Sequence, residues 1–477
     1  MQMPSPSHHS PANPLVIIIL IDGARSDVMS EMLTSGQLPN IQKEILSDGT
    51  FRNAVSCCPS TTGPAYLPFL TGCFPGTMNI PGIRWLDKSR YGKPPFGLDK
   101  FRSYNGIEAG MFDSDMAPGH PTLHEIFENS INIYSMITRG LKTGNNLAAT
   151  LKPFVYLKAH ITDNWKPVDN LAYRKLMASF NKNPDFIFAV FPGVDSYSHL
   201  NHPRHPLVNE AYRFIDFVVG EIASKLKKIN RWDETLLILT SDHGLTATSR
   251  HLDLATYLEA RDIRTLYYPL IWKLRSQASV MISGNALGEI YWLNGDGKKR
   301  ARPSEKKIDE IKADLLSRDE IDLIITNPNQ DSILIESSRG RASIYFKNNR
   351  YSYKMENGDP LGYGNSVIDL TSDESLGATF DSAYPDTPVQ LRQLFKSPRS
   401  GDMVVISKNG SDLRKAFEWP EHHASHGSLH REHMMVPLIY NRQCWKTGPA
   451  RTTDVFNTIL NWAGKKIPPG TDGKSLI

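Results

Sequence analysis

The chain has 477 residues, of which 40% are apolar and 22% charged, and its formal net charge is +4. This composition is typical of a soluble globular protein whose core is large enough to need no disulfides. The small net charge argues against a surface built for nucleic-acid polymers or membranes. The four cysteines, none in a CxxC spacing, argue against a cysteine zinc site: Cys57, Cys58, Cys73 and Cys444.

The amino terminus contains one short apolar run. Residues 1–14 are rich in Pro, Ser and His and predict a disordered leader. The run Leu15–Ile21 is seven residues long, too short to span a bilayer, and no basic residue precedes it as in a signal peptide. We interpret it as a buried parallel strand, and we expect no transmembrane segment and a cytoplasmic location.

Further along the chain, apolar runs alternate with helical patterns. Phe186–Phe191 and Thr235–Thr240 read as buried strands, and Glu210–Leu226 between them has apolar residues at helical spacing. Strand, crossover helix and strand indicate an α/β fold with a mostly parallel sheet sandwiched by helices.

The stretch 267–417 differs from the flanking segments and predicts an inserted α+β cap subdomain. The catalytic core would then comprise 15–266 and 418–477. The cap is expected to contain one charged helix and several short strands: Ser304–Ser317, then Ser279–Ser283, Glu289–Trp292, Ser332–Glu336, Ala342–Lys347 and Met403–Ser407. The chain returns to the core with a strand in His433–Tyr440 and a helix around Thr453–Ala463.

Polar clusters stand at the ends of the core strands. An Asp-Gly after a strand, or an isolated Asp-His pair, is more often a turn or a helix cap. Their recurrence after several strands favours a shared site, because ligands bind at the carboxyl ends of strands in open α/β sheets. Three Asp and three His form the candidate set: Asp22, Asp195, His199, Asp242, His243 and His426. Carboxylate oxygens and imidazole nitrogens are the ligands expected for Zn²⁺ or a similar ion.

The candidate nucleophile lies in the segment Ser60–Gly72, which is rich in Pro and Gly and could also be a simple turn. A threonine hydroxyl is a weak nucleophile and needs a base or a metal to activate it. Metal activation fits the Asp and His set.

These motifs resemble the alkaline phosphatase superfamily, and most closely its nucleotide pyrophosphatase/phosphodiesterase branch. The similarity covers 15–255 and 420–477. It rests on motifs in the family's order: Asp22-Gly-Ala-Arg-Ser-Asp27, Thr62 nine residues before Thr71-Gly72, Asp195-Ser-Tyr-Ser-His199, Ser241-Asp-His-Gly244 and His426-Gly427. The sulfatase branch is excluded, because Thr61 and Tyr66 stand where its motif requires Arg and no cysteine occupies the nucleophile register.

The resemblance implies two divalent metal ions, expected to be Zn²⁺. One would be held by Asp195, His199 and His426. The other would be held by Asp22, Thr62, Asp242 and His243. Thr62 would attack phosphorus in line and form a covalent phosphoryl intermediate that water then hydrolyses.

The segment after Thr62 departs from the family's pattern. Gly63-Pro64-Ala65 stands where the family commonly has Phe-Pro-Asn, which leaves the second contact to the phosphate oxygen unassigned. Asn79, Arg84 and Tyr66 are the candidates. The neutral positions beside Thr62 favour diesters over monoesters, although Arg25, Arg84 or Arg341 could still reach the phosphate.

The expected function is therefore a metal-dependent phosphodiesterase or nucleotide pyrophosphatase, with a small-molecule phosphate ester as substrate. The alternatives are a phosphomonoesterase or phosphonate hydrolase on the same site, a cofactor-independent phosphomutase-like enzyme, and a degenerate binding protein that keeps the fold. An intact ligand set argues against the last alternative.

Overall fold

The computed structural model describes residues 11–91, 100–271, 273, 275–294, 301–415, 421–443 and 446–477. Most of the predicted leader, residues 1–10, and Cys444 lie outside the described residues. No helix in the described ranges combines the length and apolarity that crossing a bilayer requires.

The strands of the described chain fall into two large sheets and three two-stranded ones. In chain order they are β1 (Leu15–Ile21), β2 (Thr50–Val55), β3 (Arg84–Leu86), β4 (Phe101–Ser103), β5 (Ser130–Ile133), β6 (Phe186–Phe191), β7 (Thr235–Thr240), β8 (Thr246–Ala247), β9 (Arg250–His251), β10 (Thr265–Leu266), β11 (Ala278–Ser283), β12 (Leu287–Trp292), β13 (Ile321–Asn329), β14 (Ser332–Ser337), β15 (Gly340–Lys347), β16 (Arg350–Gly358), β17 (Met403–Ser407), β18 (Ser411–Asp412), β19 (Ala424–Ser425), β20 (Met435–Tyr440) and β21 (Ala450–Arg451).

The α-helices range from single turns to one helix of 23 residues. In chain order they are α1 (Ser26–Thr34), α2 (Leu67–Thr71), α3 (Lys88–Tyr91), α4 (Phe112–Asp115), α5 (Leu123–Ile126), α6 (Lys152–Thr162), α7 (Lys166–Ser179), α8 (Gly193–Leu200), α9 (Pro206–Lys228), α10 (Leu254–Glu259), α11 (Glu305–Leu316), α12 (Ser372–Thr379), α13 (Thr387–Leu394), α14 (Arg431–Met434) and α15 (Asp454–Trp462).

The first large sheet has seven strands in the order β21-β2-β20-β7-β1-β6-β5. Strand β1 lies inside the sheet and is fully buried, and it pairs in parallel with β6 and β7. Strand β20 alone runs antiparallel to its two neighbours, β7 and β2. The apolar faces of α1, α7, α9 and α15 join this sheet in one core cluster. The predicted α/β fold with a mostly parallel sheet is confirmed.

The second large sheet has eight strands in the order β10-β11-β12-β17-β13-β14-β15-β16. All its neighbouring pairs are antiparallel except β10–β11. One of its apolar clusters joins Leu323 and Ile335 of the second sheet to Cys57, Cys58 and Phe74, which lie between β2 and β3. The second sheet therefore packs against the chain around the predicted nucleophile. The boundaries 15–266, 267–417 and 418–477 stay a prediction.

Candidate active site

The polar clusters meet at the carboxyl edge of the first sheet, because β6, β1 and β7 are adjacent and parallel. Asp22 is the first residue after β1, and its backbone N–H donates to the carbonyl of Phe191 at the end of β6. Asp242 and His243 follow β7 by two and three residues. Sequence positions more than 200 residues apart are brought together in this way, as in other open α/β sheets.

Helix α8 carries Asp195 and His199 on one face, since residues four apart lie one above the other in a helix. Their Oδ1 and Nε2 atoms are 3.4 Å apart. The backbone N–H of Asp195 donates to the carbonyl of Asp22 at 3.0 Å. Gly23 permits this approach: its φ is +73°, and a Cβ there would lie 2.9 Å from Cβ of Asp195.

His426 reaches the same edge from the loop between β19 and β20. Gly427, with φ of +103°, lets this loop pass the second sheet, because a Cβ there would lie 2.2 Å from the carbonyl oxygen of Ser283. The imidazoles of His426 and His243 stack with ring centroids 3.7 Å apart and an interplanar angle of 3°.

The three imidazoles share one hydrogen-bonding arrangement. The Nδ1 of His199 lies 2.8 Å from the carbonyl oxygen of Ala424, and that of His426 lies 2.9 Å from the carbonyl oxygen of Ser60. The Nδ1 of His243 is 3.2 Å from the carbonyl oxygen of Gly244. A carbonyl can only accept, so each Nδ1 carries a proton, and Nε2 is the ring nitrogen that each histidine would offer to a metal ion. Metal-binding histidines are commonly oriented by such a bond.

Thr62 lies among these side chains, half-buried, just before the turn that leads into α2. Its hydroxyl donates to Oδ1 of Asp22 at 3.2 Å, and the same oxygen is 3.1 Å from Nε2 of His243. Thr61, its neighbour, is 1% exposed. Thr62 is thus the one of the two threonines that touches the predicted ligands.

The described chain contains two groups of three side chains whose ligand atoms all lie within 4.8 Å of one another. One group is Asp22, Asp242 and His243, and the other is Asp195, His243 and His426. His243 belongs to both groups because its ring is stacked on that of His426. The sequence also predicts His199 as a ligand together with Asp195 and His426. His199 is outside both groups but contacts Asp195, a member of one of them.

The electrostatics of the cluster follow from three carboxylates that share a buried edge. Burial and the charge of Asp195 raise the pKa of Asp22. Burial next to Asp22 raises the pKa of Asp242 to about 8. Although burial opposes it, the charges of Asp242 and Asp22 raise the pKa of His243 to about 9. The cluster therefore holds excess negative charge that protons or cations must balance.

The residues present fit a divalent cation. Asp22, Asp242 and His243 are 4%, 0% and 0% exposed. The Oδ2 atom of Asp242 is buried and receives no hydrogen bond from the described residues. Buried carboxylates normally are paired or coordinate metals, since an unpaired buried charge is costly. Oxygen and imidazole donors together suit Zn²⁺ and similar ions.

The three candidate substrate-binding residues lie in different settings. Tyr66 is buried, and its hydroxyl is 3.4 Å from Oδ2 of Asp22. Arg84 is also buried and donates to the carbonyl of Ile282 on the second sheet at 2.9 Å. The side-chain oxygen of Asn79 accepts a 2.8 Å hydrogen bond from the hydroxyl of Ser397. Of the three, Tyr66 contacts the predicted ligand set directly.

Reasoning from the sequence missed helix α6 and its first residue, Lys152. This side chain lies close enough to Asp22 for the carboxylate to raise its pKa, against the larger effect of burial, which lowers the pKa to about 8. Lys152 belongs to none of the sequence motifs, and its position relative to Asp22 is set by the tertiary structure alone.

Comparison with known proteins gives the same picture as the motifs. The profile of the "Type I phosphodiesterase / nucleotide pyrophosphatase" family matches residues 16–429. An uncharacterized pyrophosphatase/phosphodiesterase of Schizosaccharomyces pombe is 24% identical over 234 residues, which are 49% of this chain and 45% of that protein. Human ectonucleotide pyrophosphatase/phosphodiesterase family member 1 is 24% identical over 54% of this chain and 26% of its own length. The chain thus spans less than half the length of these relatives.

Solved structures share the fold over nearly the whole chain. Murine ectonucleotide pyrophosphatase/phosphodiesterase 5 superposes with a TM-score of 0.59 at 15% identity, covering 96% of this chain and 97% of that one. Phosphonoacetate hydrolase from Sinorhizobium meliloti, in complex with phosphonoacetate, gives a TM-score of 0.58 at 16% identity, covering 94% and 96%.

Proposed function

Because the chain belongs to the Type I phosphodiesterase / nucleotide pyrophosphatase family, we propose that it is a metal-dependent phosphoric ester hydrolase that acts through a covalent Thr62 phosphoryl intermediate. The observation that carries this proposal is the position of the Thr62 hydroxyl, 3.2 Å from Asp22 and 3.1 Å from His243. An inactive form of murine ectonucleotide pyrophosphatase/phosphodiesterase 5 carries one Thr-to-Ala substitution and binds AMP, which supports a threonine nucleophile and a nucleotide-like substrate here.

Two divalent ions, of which Zn²⁺ suits the donors best, would be held by Asp22, Asp242 and His243 and by Asp195, His199 and His426, with Thr62 beside the first set. When bound, such ions lower the pKa of the nucleophile and neutralise charge on the phosphoryl oxygens.

The chemistry has two displacements at phosphorus. In the first, the Thr62 proton passes to the Asp22 carboxylate that its hydroxyl already contacts, the Thr62 Oγ–P bond forms, and the P–O bond to the leaving alcohol or phosphate breaks. The leaving oxygen departs with this proton, so that Asp22 is a carboxylate again. In the second, water attacks the same phosphorus, one proton of the water passes through Asp22 to the Thr62 oxygen, and the Oγ–P bond breaks. The product is the phosphorylated half of the substrate.

The preferred substrate is proposed to be a diester or pyrophosphate rather than a simple monoester. Gly63, Pro64 and Ala65, next to the nucleophile, are uncharged and buried, and Tyr66 presents a buried hydroxyl to Asp22. These flanks supply no cation of their own for the second charge of a monoester dianion. The proposed binding partner is thus the substrate itself, a small-molecule phosphate ester. The cytoplasmic location of the protein stays a prediction.

A substrate panel tests the function. We expect bis-p-nitrophenyl phosphate and thymidine 5′-p-nitrophenyl phosphate to be hydrolysed with a larger kcat/KM than p-nitrophenyl phosphate, and activity to disappear on chelation and return with Zn²⁺. A larger kcat/KM for the monoester would favour the phosphomonoesterase, and selective cleavage of phosphonoacetate would favour the phosphonate hydrolase. Transfer of the phosphoryl group without hydrolysis would favour the mutase.

A further inference from the structure

Helix α13 carries two buried glutamines, Gln390 and Gln393, that the proposed mechanism does not use. They are 0% and 2% exposed. The helix lies in the stretch 267–417, between strands β16 and β17 of the second sheet. Burying a side-chain amide is costly unless its oxygen and its nitrogen are hydrogen-bonded, so the partners of these two amides indicate their role.

Gln390 bonds to the backbone of the chain shortly before the nucleophile. Its Oε1 accepts from the N–H of Cys58 at 2.9 Å. Its Nε2 donates to the carbonyl of Ser56 at 3.2 Å. One side chain thus satisfies two backbone groups that lie two residues apart, and the second of them is only four residues before Thr62.

Gln393, about one helical turn further along α13, bonds to the same segment at two points. Its Nε2 donates to the carbonyl of Cys58 at 2.5 Å, and its Oε1 accepts from the N–H of Gly76 at 2.8 Å. Gly76 lets the helix come this close, because a Cβ there would lie 1.6 Å from the carbonyl oxygen of Gln393. The two glutamines therefore hold the chain at residues 58 and 76, and Thr62 lies between these points.

The segment that the glutamines hold also contacts two predicted metal ligands. The hydroxyl of Ser56 donates to the backbone carbonyl of Asp242. The carbonyl oxygen of Ser60 lies 2.9 Å from Nδ1 of His426. A displacement of this segment would therefore change the position of the Thr62 hydroxyl relative to both groups of predicted ligands.

Helix α13 is itself fixed to the first sheet. The carboxylate of Asp386, directly before the helix, receives two 2.7 Å hydrogen bonds from Arg451 of β21. It receives a third, also of 2.7 Å, from Nε2 of Gln390. Asp386 and Arg451 are both buried. The amide of Gln390 is thus held from two sides, by a buried ion pair and by the backbone of the nucleophile segment.

We propose that Gln390 and Gln393 are positioning residues, which hold the nucleophile segment so that the Thr62 hydroxyl is placed for in-line attack on phosphorus. This role rests on the proposed hydrolase function. Neither glutamine touches the substrate or exchanges a proton, since each acts through the backbone of residues 56–76. Such an effect can be large, because a misplacement of about 1 Å can cost about 100-fold in rate.

The test is the variant Gln390→Met, which keeps the length of the side chain and removes its hydrogen bonds. At saturating Zn²⁺ and well below the melting temperature, we expect kcat for bis-p-nitrophenyl phosphate to fall roughly 10- to 100-fold. KM and bound Zn²⁺ should stay near wild type, because the groups that bind substrate and metal are intact. Gln393→Met should act in the same direction, and it serves as the test if Gln390→Met does not fold.

Asn441 provides a matched control. Like Gln390, it is a buried amide that bonds to two backbone groups two residues apart, since it accepts from the N–H of Leu237 at 2.8 Å and donates to the carbonyl of Thr235 at 3.1 Å. These residues belong to the amino-terminal half of β7, whereas the predicted ligands follow its carboxyl end. Asn441→Leu should therefore lower the melting temperature, as Gln390→Met does, but keep kcat. An unchanged kcat in Gln390→Met as well would mean that the glutamines serve stability alone, and the proposal would be overturned.

Hydrogen exchange followed by mass spectrometry separates these contacts from the hydrolase function. Amides in residues 56–76 should exchange faster in Gln390→Met and Gln393→Met, whereas Asn441→Leu should affect β7 instead. If the wild-type protein hydrolyses none of the esters, the proposed function fails, but faster exchange would still support the holding of this segment. Unchanged exchange in residues 56–76 would refute the positioning role, whatever the protein hydrolyses.

Discussion

The two large sheets differ in how they are buried and in what they carry. Strands β1, β6 and β7 of the first sheet are buried at every position, and the six predicted Asp and His ligands lie at or near their carboxyl ends. In the second sheet, β14 alternates buried and partly exposed positions, and β16 ends in five exposed residues. The first sheet can hold charged side chains in fixed positions, whereas the second sheet forms part of the wall around the active site.

The second sheet nevertheless contacts the active site at the end of strand β11. Gly284 lies so close to His426 that a Cβ there would be 2.5 Å from its Nδ1, and the carbonyl of Ile282 accepts the hydrogen bond from Arg84. Changes at the end of the first sheet should therefore remove chemistry and leave the fold. Changes within the second sheet, away from this contact, should alter stability and leave the chemistry.

The largest effect is expected for Thr62→Ala. Turnover should fall by at least about 10⁴-fold because the nucleophile is lost, while the melting temperature and bound metal stay near wild type. Steady-state kinetics with bis-p-nitrophenyl phosphate measure it. Thr61→Ala is the neighbouring control and should be much milder; the reverse pattern would mean that the nucleophile is Thr61.

Asp242→Asn should lower both bound metal and kcat by about 100-fold or more, because a charged ligand is replaced by a neutral one. The matched control is Asp322→Asn in β13 of the second sheet, a buried carboxylate that pairs with Arg339 at 2.7 Å. It should reduce stability and keep the metal. Metal analysis and thermal unfolding measure both effects. An equal loss of metal in the two variants would contradict the proposed difference between the two sheets.

Glu289 in β12 should make the second sheet sensitive to pH. Burial raises the pKa of its carboxyl from an ordinary value of 4.5 to about 8. A raised acid pKa stabilises the fold at low pH, and this stabilisation is lost as pH rises from about 5 through 8. Glu289→Gln should reduce that fall by on the order of 1–3 kcal/mol, measured as unfolding free energy at pH 5 and pH 9. An unchanged pH slope would show that Glu289 ionises freely.

The smallest effect is expected for Arg341→Ala. Its ion pair with Glu356 joins two half-exposed side chains of the second sheet, and such pairs contribute about 0–1 kcal/mol. We expect kcat/KM to stay within about twofold of wild type and stability to change by less than about 1 kcal/mol. A large loss of kcat/KM would place this arginine at the phosphate and challenge the separation of the two sheets.

Sequence reasoning succeeded where a local pattern decides the structure. Strands β1, β6, β7 and β17 match their predicted bounds because each is a short, continuous apolar run. It missed strands such as β2, whose first four residues are only partly buried, and the four-residue β5 at the sheet edge. Pairing with neighbours that are distant in sequence, rather than local composition, makes these segments strands.

The candidate site shows the same division. The seven side chains named from the motifs converge on one edge of the first sheet, because each motif directly follows or precedes a strand or helix of the core. The assignment of His243 to a single ligand group did not foresee its stacking on His426. The position of Lys152 was equally hidden, since it depends on the turn at Tyr134 and on the packing of α6. Distances between motifs, unlike the motifs themselves, are properties of the tertiary structure.

The antiparallel strand β20 has a consequence for how the molecule is made. It lies between β2 and β7, so residues 435–440 fill the interior of a sheet in which both neighbouring strands are translated long before. As the chain leaves the ribosome, β2 and β7 must wait with open edges while the second sheet is synthesised. Open strand edges are the usual starting points of aggregation, and such long-range pairing folds slowly. A nascent chain halted after residue 266 should therefore depend on chaperones, and adding a β20 peptide in trans should improve its solubility.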